Sequence, residues 1–360
     1  MWGSVVAFSS THLIDLPKKI VVGKGVLSRV GEHLSSLYGA GKGVLVVTGP
    51  NVVNIYYKVV RDSLEESGFS VWDIVVREPH VDIASKVAEE SRFDRVDIIV
   101  GLGGGKSIDV AKYASKISDK PFISLPTVAS HDGITSPYAS LRGFDKPVSR
   151  PAKPPDAIII DASVIASAPR RHNIAGFGDL IGKFTAVRDW KLASMIKGEY
   201  YGEYAASLAL MSARHVSTYY REIAAGSEEG YRVLLEALVS SGVSMCIAGS
   251  TRPASGSEHL FAHSLAMVAK NPPLHGEAVG VGTIIMASLH GLNWRWIKKM
   301  LKAVGAPTTA RELGVSEDEV VRALSISPTI RPERYTILGE KQIDYDVAYK
   351  LAKSVGVIEG

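Results

Sequence analysis

The sequence holds a single cysteine, Cys246, in 360 residues. A lone thiol excludes any disulfide within the chain and any thiolate metal cluster. An excess of one charge is also missing: 41 Lys and Arg stand against 37 Asp and Glu, a net of +4. The basic residues are scattered and form no runs. That balance suits an anionic small molecule and predicts no nucleic-acid partner. No apolar run reaches the length of a membrane span. The opening MWGSVVAFSSTHLIDLP lacks the basic region and apolar core of a signal peptide. A cytoplasmic protein is expected. There is no internal repeat and no low-complexity tract. At this length two domains are expected, each able to bury a core.

Standard nucleotide loops are absent as well. Residues 97–136 read DIIVGLGGGKSIDVAKYASKISDKPFISLPTVASHDGITS. A Walker A loop would need glycine at position 100, which is Val100. A dinucleotide fingerprint counted from Gly101 and Gly103 would need glycine at Lys106. The stretch nevertheless runs strand, glycine turn, helix, strand. Taken alone, a glycine cluster after a strand is compatible with a plain turn. At a strand-to-helix junction it points to an anion. The backbone can approach the ligand closely there, and the helix N-terminus offers free N–H groups and positive dipole. Gly103, Gly104, Gly105, Lys106 and Ser107 are therefore candidates for holding a phosphate.

Around this stretch, apolar runs alternate with helical patterns. Strands are expected at 18–23, 44–48, 71–76, 98–100, 122–125 and 156–161. Helices are expected up to Tyr38, over 52–67, over 82–92 with Asp82 as N-cap, and over 108–117. The pattern implies a doubly wound, Rossmann-like parallel sheet. Ligands of such sheets sit at the carboxyl ends of the strands. Gly49-Pro50-Asn51, the glycine cluster and residues 127–136 should therefore converge on one crevice. No acidic residue follows the 44–48 strand to grip a ribose hydroxyl, so NAD and NADP are both compatible. Residues 141–155, with four prolines, read as a surface hairpin or linker. Beyond residue 162 the periodicity is helical throughout. The expected division is an α/β domain over 1–161 and an all-α domain over 162–360.

The second half carries three features. Asp179 lies in AGFGDLIGK, bracketed by glycines. His259 and His263 are four apart and share one helix face. His275 sits at a loop–helix junction in PPLHGE. One Asp with two His would make a three-ligand site with an open position, as in catalytic zinc. The protease pattern His-Glu-x-x-His is absent, because residue 260 is leucine. His131 is of interest only for its place in the crevice loop. His12, His33 and His290 read as ordinary.

GLGGGKSIDVAKY, SLPTVASHDGITSPYAS, AGFGDLIGK, the His-x3-His helix and HGEAVGVG together resemble the group-III metal-dependent alcohol dehydrogenases. Glycerol dehydrogenase belongs to that group, and dehydroquinate synthase is a relative. Within it, the chain is most similar to the sn-glycerol-1-phosphate dehydrogenases, which make the glycerol-phosphate backbone of archaeal lipids. The resemblance covers roughly residues 18–300 and implies a dehydroquinate synthase-like fold. It also implies roles. The 103–107 loop would hold the cofactor diphosphate. Thr127, Val128, Ala129 and Ser130, with Ser136, would line the cofactor on its nicotinamide side. Asp132 and His263 would contact substrate. Asp179, His259 and His275 would bind Zn2+, with Asp179 also touching substrate. Iron stays open, since His263 could serve as a third histidine ligand.

The implied reaction is reduction of dihydroxyacetone phosphate to glycerol 1-phosphate by NADH or NADPH, in a homo-oligomer. His263 or a water would deliver the proton. Lys183, Arg142 and His131 are candidates for the substrate phosphate. Glycerol dehydrogenase and a dehydroquinate synthase-like enzyme are the alternatives, and a nucleotide-sensing module with structural histidines is the non-enzyme one.

Overall fold

The structure is a computed structural model and describes residues 12–92, 95–144 and 149–359. The first eleven residues of the opening segment, and residues 145–148 of the expected hairpin, lie outside the described residues. The described residues form eight strands: β1 Lys19–Gly23, β2 Gly43–Thr48, β3 Ser70–Val75, β4 Ile98–Gly103, β5 Phe122–Pro126, β6 Tyr138–Ala139, β7 Arg150–Pro151 and β8 Ala157–Asp161. Six form one parallel sheet in the order β1-β8-β5-β4-β2-β3. β6 and β7 pair antiparallel, so the proline-rich stretch is flanked by a short ribbon.

The sheet is buried on both sides, which is why its inner strands read as unbroken apolar runs. Alternation assigns the faces. Val44, Val46, Ile98, Val100 and Ile123 pack on one side against the helices of the first 70 residues. Leu45, Val47, Ile99 and Ile158 pack on the other, in a core continuous with the helical half. The chain runs from β2 out to edge strand β3 and returns to β4 on the far side of β2. That reversal opens a crevice at the carboxyl ends of β2 and β4.

Two local expectations need correction. The helix after β3 is Val81–Ser91, and its N-cap is His80, whose side chain accepts from the Asp82 amide. Asp82 instead lies in the first turn, where a carboxylate complements the helix dipole. The helix after β2 spans Pro50 to Glu66 but widens to a π-helical turn over Val53–Tyr57.

Every described element after Asp161 is helical. Glu228–Ala248 is 21 residues and, by length and composition, apolar enough to cross a membrane, contrary to the sequence expectation. Two-thirds of its apolar window is buried in the fold (67%), which is how a core helix passes that test. Three helices place the histidines and the aspartate: Arg170–Ile181, Ser257–Val268 and His275–Leu289. The last packs against both others.

Candidate active site and metal centre

The predicted crevice forms. Thr48 of β2 stands beside Leu102 of β4, and Gly103 beside Pro126 of β5. The Thr127 amide donates to the Gly103 carbonyl at 3.0 Å. Gly103 has φ +145° and a Cβ there would meet Ser107 Oγ at 3.0 Å, so a side chain would be strained and crowded. A Cβ on Gly104 would meet Val128 at 3.2 Å, and one on Gly105 would meet His131 Nε2 at 2.3 Å. Gly49 adjoins the same Ser107 hydroxyl. The three glycines thus make a groove floored by backbone at the start of the Gly105–Ser118 helix. Its free N–H groups suit a diphosphate. Lys106 is exposed at the rim, and Ser130 is half-buried nearby. The Ala129 amide is committed to Asn173 Oδ1 at 2.9 Å, so this residue fastens the crevice loop to the helical half.

A cleft of about 250 Å3 continues from the groove, lined by His131, Asp132, Ser136, His259, His263 and His275 among others. One donor atom each from Asp179, His259 and His275 lie within 4.8 Å of one another. Glycine makes this meeting possible. A Cβ on Gly178 would sit 2.2 Å from the Gly276 carbonyl oxygen, and one on Gly176 would sit 2.0 Å from the Ala129 carbonyl oxygen. Asp179 is delivered by a helix that touches two neighbours through bare backbone. His275 begins its helix, whose start is capped by Glu277, itself clamped in a two-pronged pair by Arg171.

The donor chemistry fits a divalent cation. Glu258 is buried, accepts from Gly256 N and Thr185 Oγ1, and meets His259 Nδ1 at 2.8 Å. Burial raises its pKa, but His259 and these donors outweigh that and hold it below the usual value. An ionised Glu258 only accepts, so the shared proton sits on Nδ1. Neutral His259 then turns its Nε2 lone pair toward Asp179 Oδ1 at 3.3 Å. That Oδ1 is buried without a hydrogen-bond partner among the described residues. Two acceptors face each other, and a cation between them resolves the arrangement. Without one a proton takes its place: burial lowers His259, but Asp179 and Glu258 overcome it and raise the pKa. Burial likewise works against ionised Asp179, yet Lys183 and His259 hold it well below the carboxylate range.

His275 and His263 behave oppositely. Desolvation, then the charge of His259, holds both down, His263 to about 3. Both are neutral imidazoles near pH 7. His263 stands across the cluster, with ring centres 5.7 Å from His275 and 6.4 Å from His259.

Lys183 is fully buried. Its Nζ reaches Asp132 Oδ2 at 2.9 Å and Asp179 Oδ2 at 3.2 Å, and is committed to those carboxylates. It is therefore not available to a substrate phosphate. Asp132 Oδ2 also accepts from Ser241 Oγ at 2.7 Å, while its amide donates to Asp179 Oδ2 at 3.1 Å. Arg142 and His131 both line the cleft. The sequence reading missed Glu258, Ser241 and Lys112. Glu258 adjoins His259 in sequence, which is a readable signal. Ser241 lies on a distant helix and has none.

Residues 21–169 match the family described as iron-containing alcohol dehydrogenase. The chain is 65% identical to the glycerol-1-phosphate dehydrogenase (NAD(P)+) of Aeropyrum pernix, over 98% of this chain and 100% of that one. It is 52% identical to the enzyme of the same name from Metallosphaera sedula, over 97% and 99%. Among solved structures, a glycerol dehydrogenase from Schizosaccharomyces pombe superimposes with a TM-score of 0.79 at 24% identity, over 96% of this chain and 91% of that one. A sulfoacetaldehyde reductase from Bifidobacterium kashiwanohense, in complex with NAD+, gives 0.72 at 20%, over 96% and 99%. These two share the fold. Full-length identity of this order, on a chain with this cleft, makes it a member of the glycerol-1-phosphate dehydrogenase family.

Proposed function

We propose that the protein reduces dihydroxyacetone phosphate to sn-glycerol 1-phosphate, reversibly, with NADH or NADPH. The observation that carries this reading is the Asp179–His259–His275 donor set, with its orphaned carboxylate oxygen, at the end of a diphosphate-shaped groove. It occurs in a chain whose full-length relatives bear that enzyme name. Glycerol dehydrogenase is favoured only by shared fold at 24% identity.

Asp179, His259 and His275 would hold the metal, and zinc suits a set of two imidazoles and a carboxylate. When bound, the metal supplies Lewis acidity to the substrate carbonyl and the reduced nicotinamide supplies hydride. The chain's own residues do the rest. Residues 103–107 seat the cofactor diphosphate, and Thr127, Val128, Ser130 and Ser136 border the cofactor beyond it. Lys183 and Ser241 orient Asp132 at the cleft wall, where it meets the substrate hydroxyl. His263, neutral and four residues from His259, is placed to relay a proton from a water, taking it at one ring nitrogen as the other releases one.

The two-part division at residue 161 serves this chemistry, with cofactor in one part and metal in the other. We also assign the enzyme to the cytoplasm, to archaeal lipid-backbone synthesis and to a homo-oligomer. The exposed apolar Met195, Ile196, Tyr200 and Tyr204 are candidates for a subunit contact.

The test follows absorbance of reduced nicotinamide with dihydroxyacetone phosphate, with and without a chelator, beside glycerol plus NAD. Chelator-sensitive oxidation of NADH is expected. Activity on glycerol alone would move the chain to glycerol dehydrogenase, and silence in both would overturn the reading.

A further inference from the structure

The cleft that holds the metal donors is also lined by a cation, Arg142. Its backbone is pinned, with the amide donating to Pro79 O at 2.7 Å and the carbonyl accepting from Val81 N at 3.0 Å. Its guanidinium has no ion-pair partner among the described residues. Thr251 and Ser255 line the same cleft. Behind them lies Arg334, only 7% exposed, donating to Thr251 Oγ1 and the Ser255 carbonyl. No carboxylate among the described residues pairs with it. Buried charges are ordinarily paired. The neighbouring buried Arg252 shows the ordinary case, clamped by Glu199. Arg331 likewise has Glu333 at 2.9 Å.

We propose that the phosphate of the three-carbon substrate is held between Arg142 and the 251–255 loop, with Arg334 supplying charge from behind that loop. This rests on the reaction assigned above and names what separates phosphorylated from unphosphorylated substrate. Burial, then Arg331 and Arg252, push Arg334 down to about 9, a strain that a dianion would relieve. Lysine candidates are spent elsewhere. Lys183 serves two carboxylates, and Lys112 donates to the Gly133 and Tyr138 carbonyls. Arg142 contacts phosphate in this scheme, and Arg334 is a positioning residue acting through Thr251.

The experiment compares wild type with Arg142→Gln, Arg334→Met and Thr251→Val. It measures kcat/KM for dihydroxyacetone phosphate and for dihydroxyacetone, and the inhibition constant of inorganic phosphate. Loss of a charge-assisted contact should raise the KM for the phosphorylated substrate and the phosphate inhibition constant roughly 10- to 100-fold for Arg142→Gln. The preference for the phosphorylated substrate should fall in parallel. Arg334→Lys should recover part of what Arg334→Met loses. If Arg334→Met does not fold, Arg142→Gln and Thr251→Val decide the matter. An unchanged preference ratio in those two, or equal losses on both substrates, would overturn the subsite. A wild type that reduces both substrates equally well would instead overturn the reaction on which it rests.

Discussion

Gly178 and Gly276 touch through bare backbone: a Cβ on Gly178 would lie 2.2 Å from the Gly276 carbonyl oxygen. This crossing brings Asp179 on one helix beside His275 on the next. Gly178→Ala should therefore push the two helices apart. Overpacking of this kind costs about 1–3 kcal/mol. A lowered melting temperature together with reduced zinc content, read by calorimetry and elemental analysis, is the expected pair. A stable variant with full zinc would show that the crossing does not set the metal geometry.

Glu258→Gln removes the carboxylate that fixes the His259 tautomer while keeping the side chain's shape. Outer partners of this type are worth about 10- to 100-fold in metal affinity. Competition against a chromogenic chelator should show that loss. His259→Ala should lose metal and turnover together. Turnover retained in a metal-free His259→Ala protein would sink the zinc assignment.

Lys112, fully buried, ties the cofactor helix to the substrate loop. Its Nζ donates to Gly133 O at 2.5 Å and Tyr138 O at 2.7 Å, with Asp109 at 3.4 Å. Lys112→Met leaves these acceptors unpaired in the interior. Breaking a buried pair of this kind costs about 3–5 kcal/mol. Urea denaturation should show the unfolding free energy lowered by that amount and the midpoint shifted down accordingly, and an unshifted midpoint would show the clamp to be idle.

Burial pushes the Cys246 thiol up to about 12, well above the value of about 8.5 for a free thiol. The sign follows from proton counting. Above pH 8.5 the unfolded chain releases this proton while the native chain keeps it. Stability therefore falls as pH rises through that window, by up to about 1.4 kcal/mol per pH unit from this group. Native protein should resist alkylation at pH 8.5 and react fully once unfolded in urea. Cys246→Ala should flatten the alkaline slope, and an unchanged slope would assign it to other groups.

Much of the fold was legible in residue order. The inner strands announce themselves as apolar runs, because a sheet covered on both faces needs no polar alternation. The glycine groove was legible for a local reason too: three glycines followed by a helix pattern. The errors were local too. Asp82 was read as the cap because it is a preferred cap residue, yet His80 sits two residues earlier with its Nδ1 facing the Asp82 amide.

At the site, residue order alone determined which side chains could bind a metal: Asp179 between glycines, His259 and His263 on one helix face, His275 opening another helix. Tertiary structure decided how they divide the work. It withdrew Lys183 from substrate by burying it between Asp132 and Asp179, and it brought Glu258 onto His259 and Ser241 onto Asp132. Among the described residues it also left Arg334 buried without an ion-pair partner while giving Arg252 one. Such assignments depend on distances between segments as many as 109 positions apart. Local periodicity reports only which face of an element a residue occupies, and the partner across the gap is set by how the elements pack.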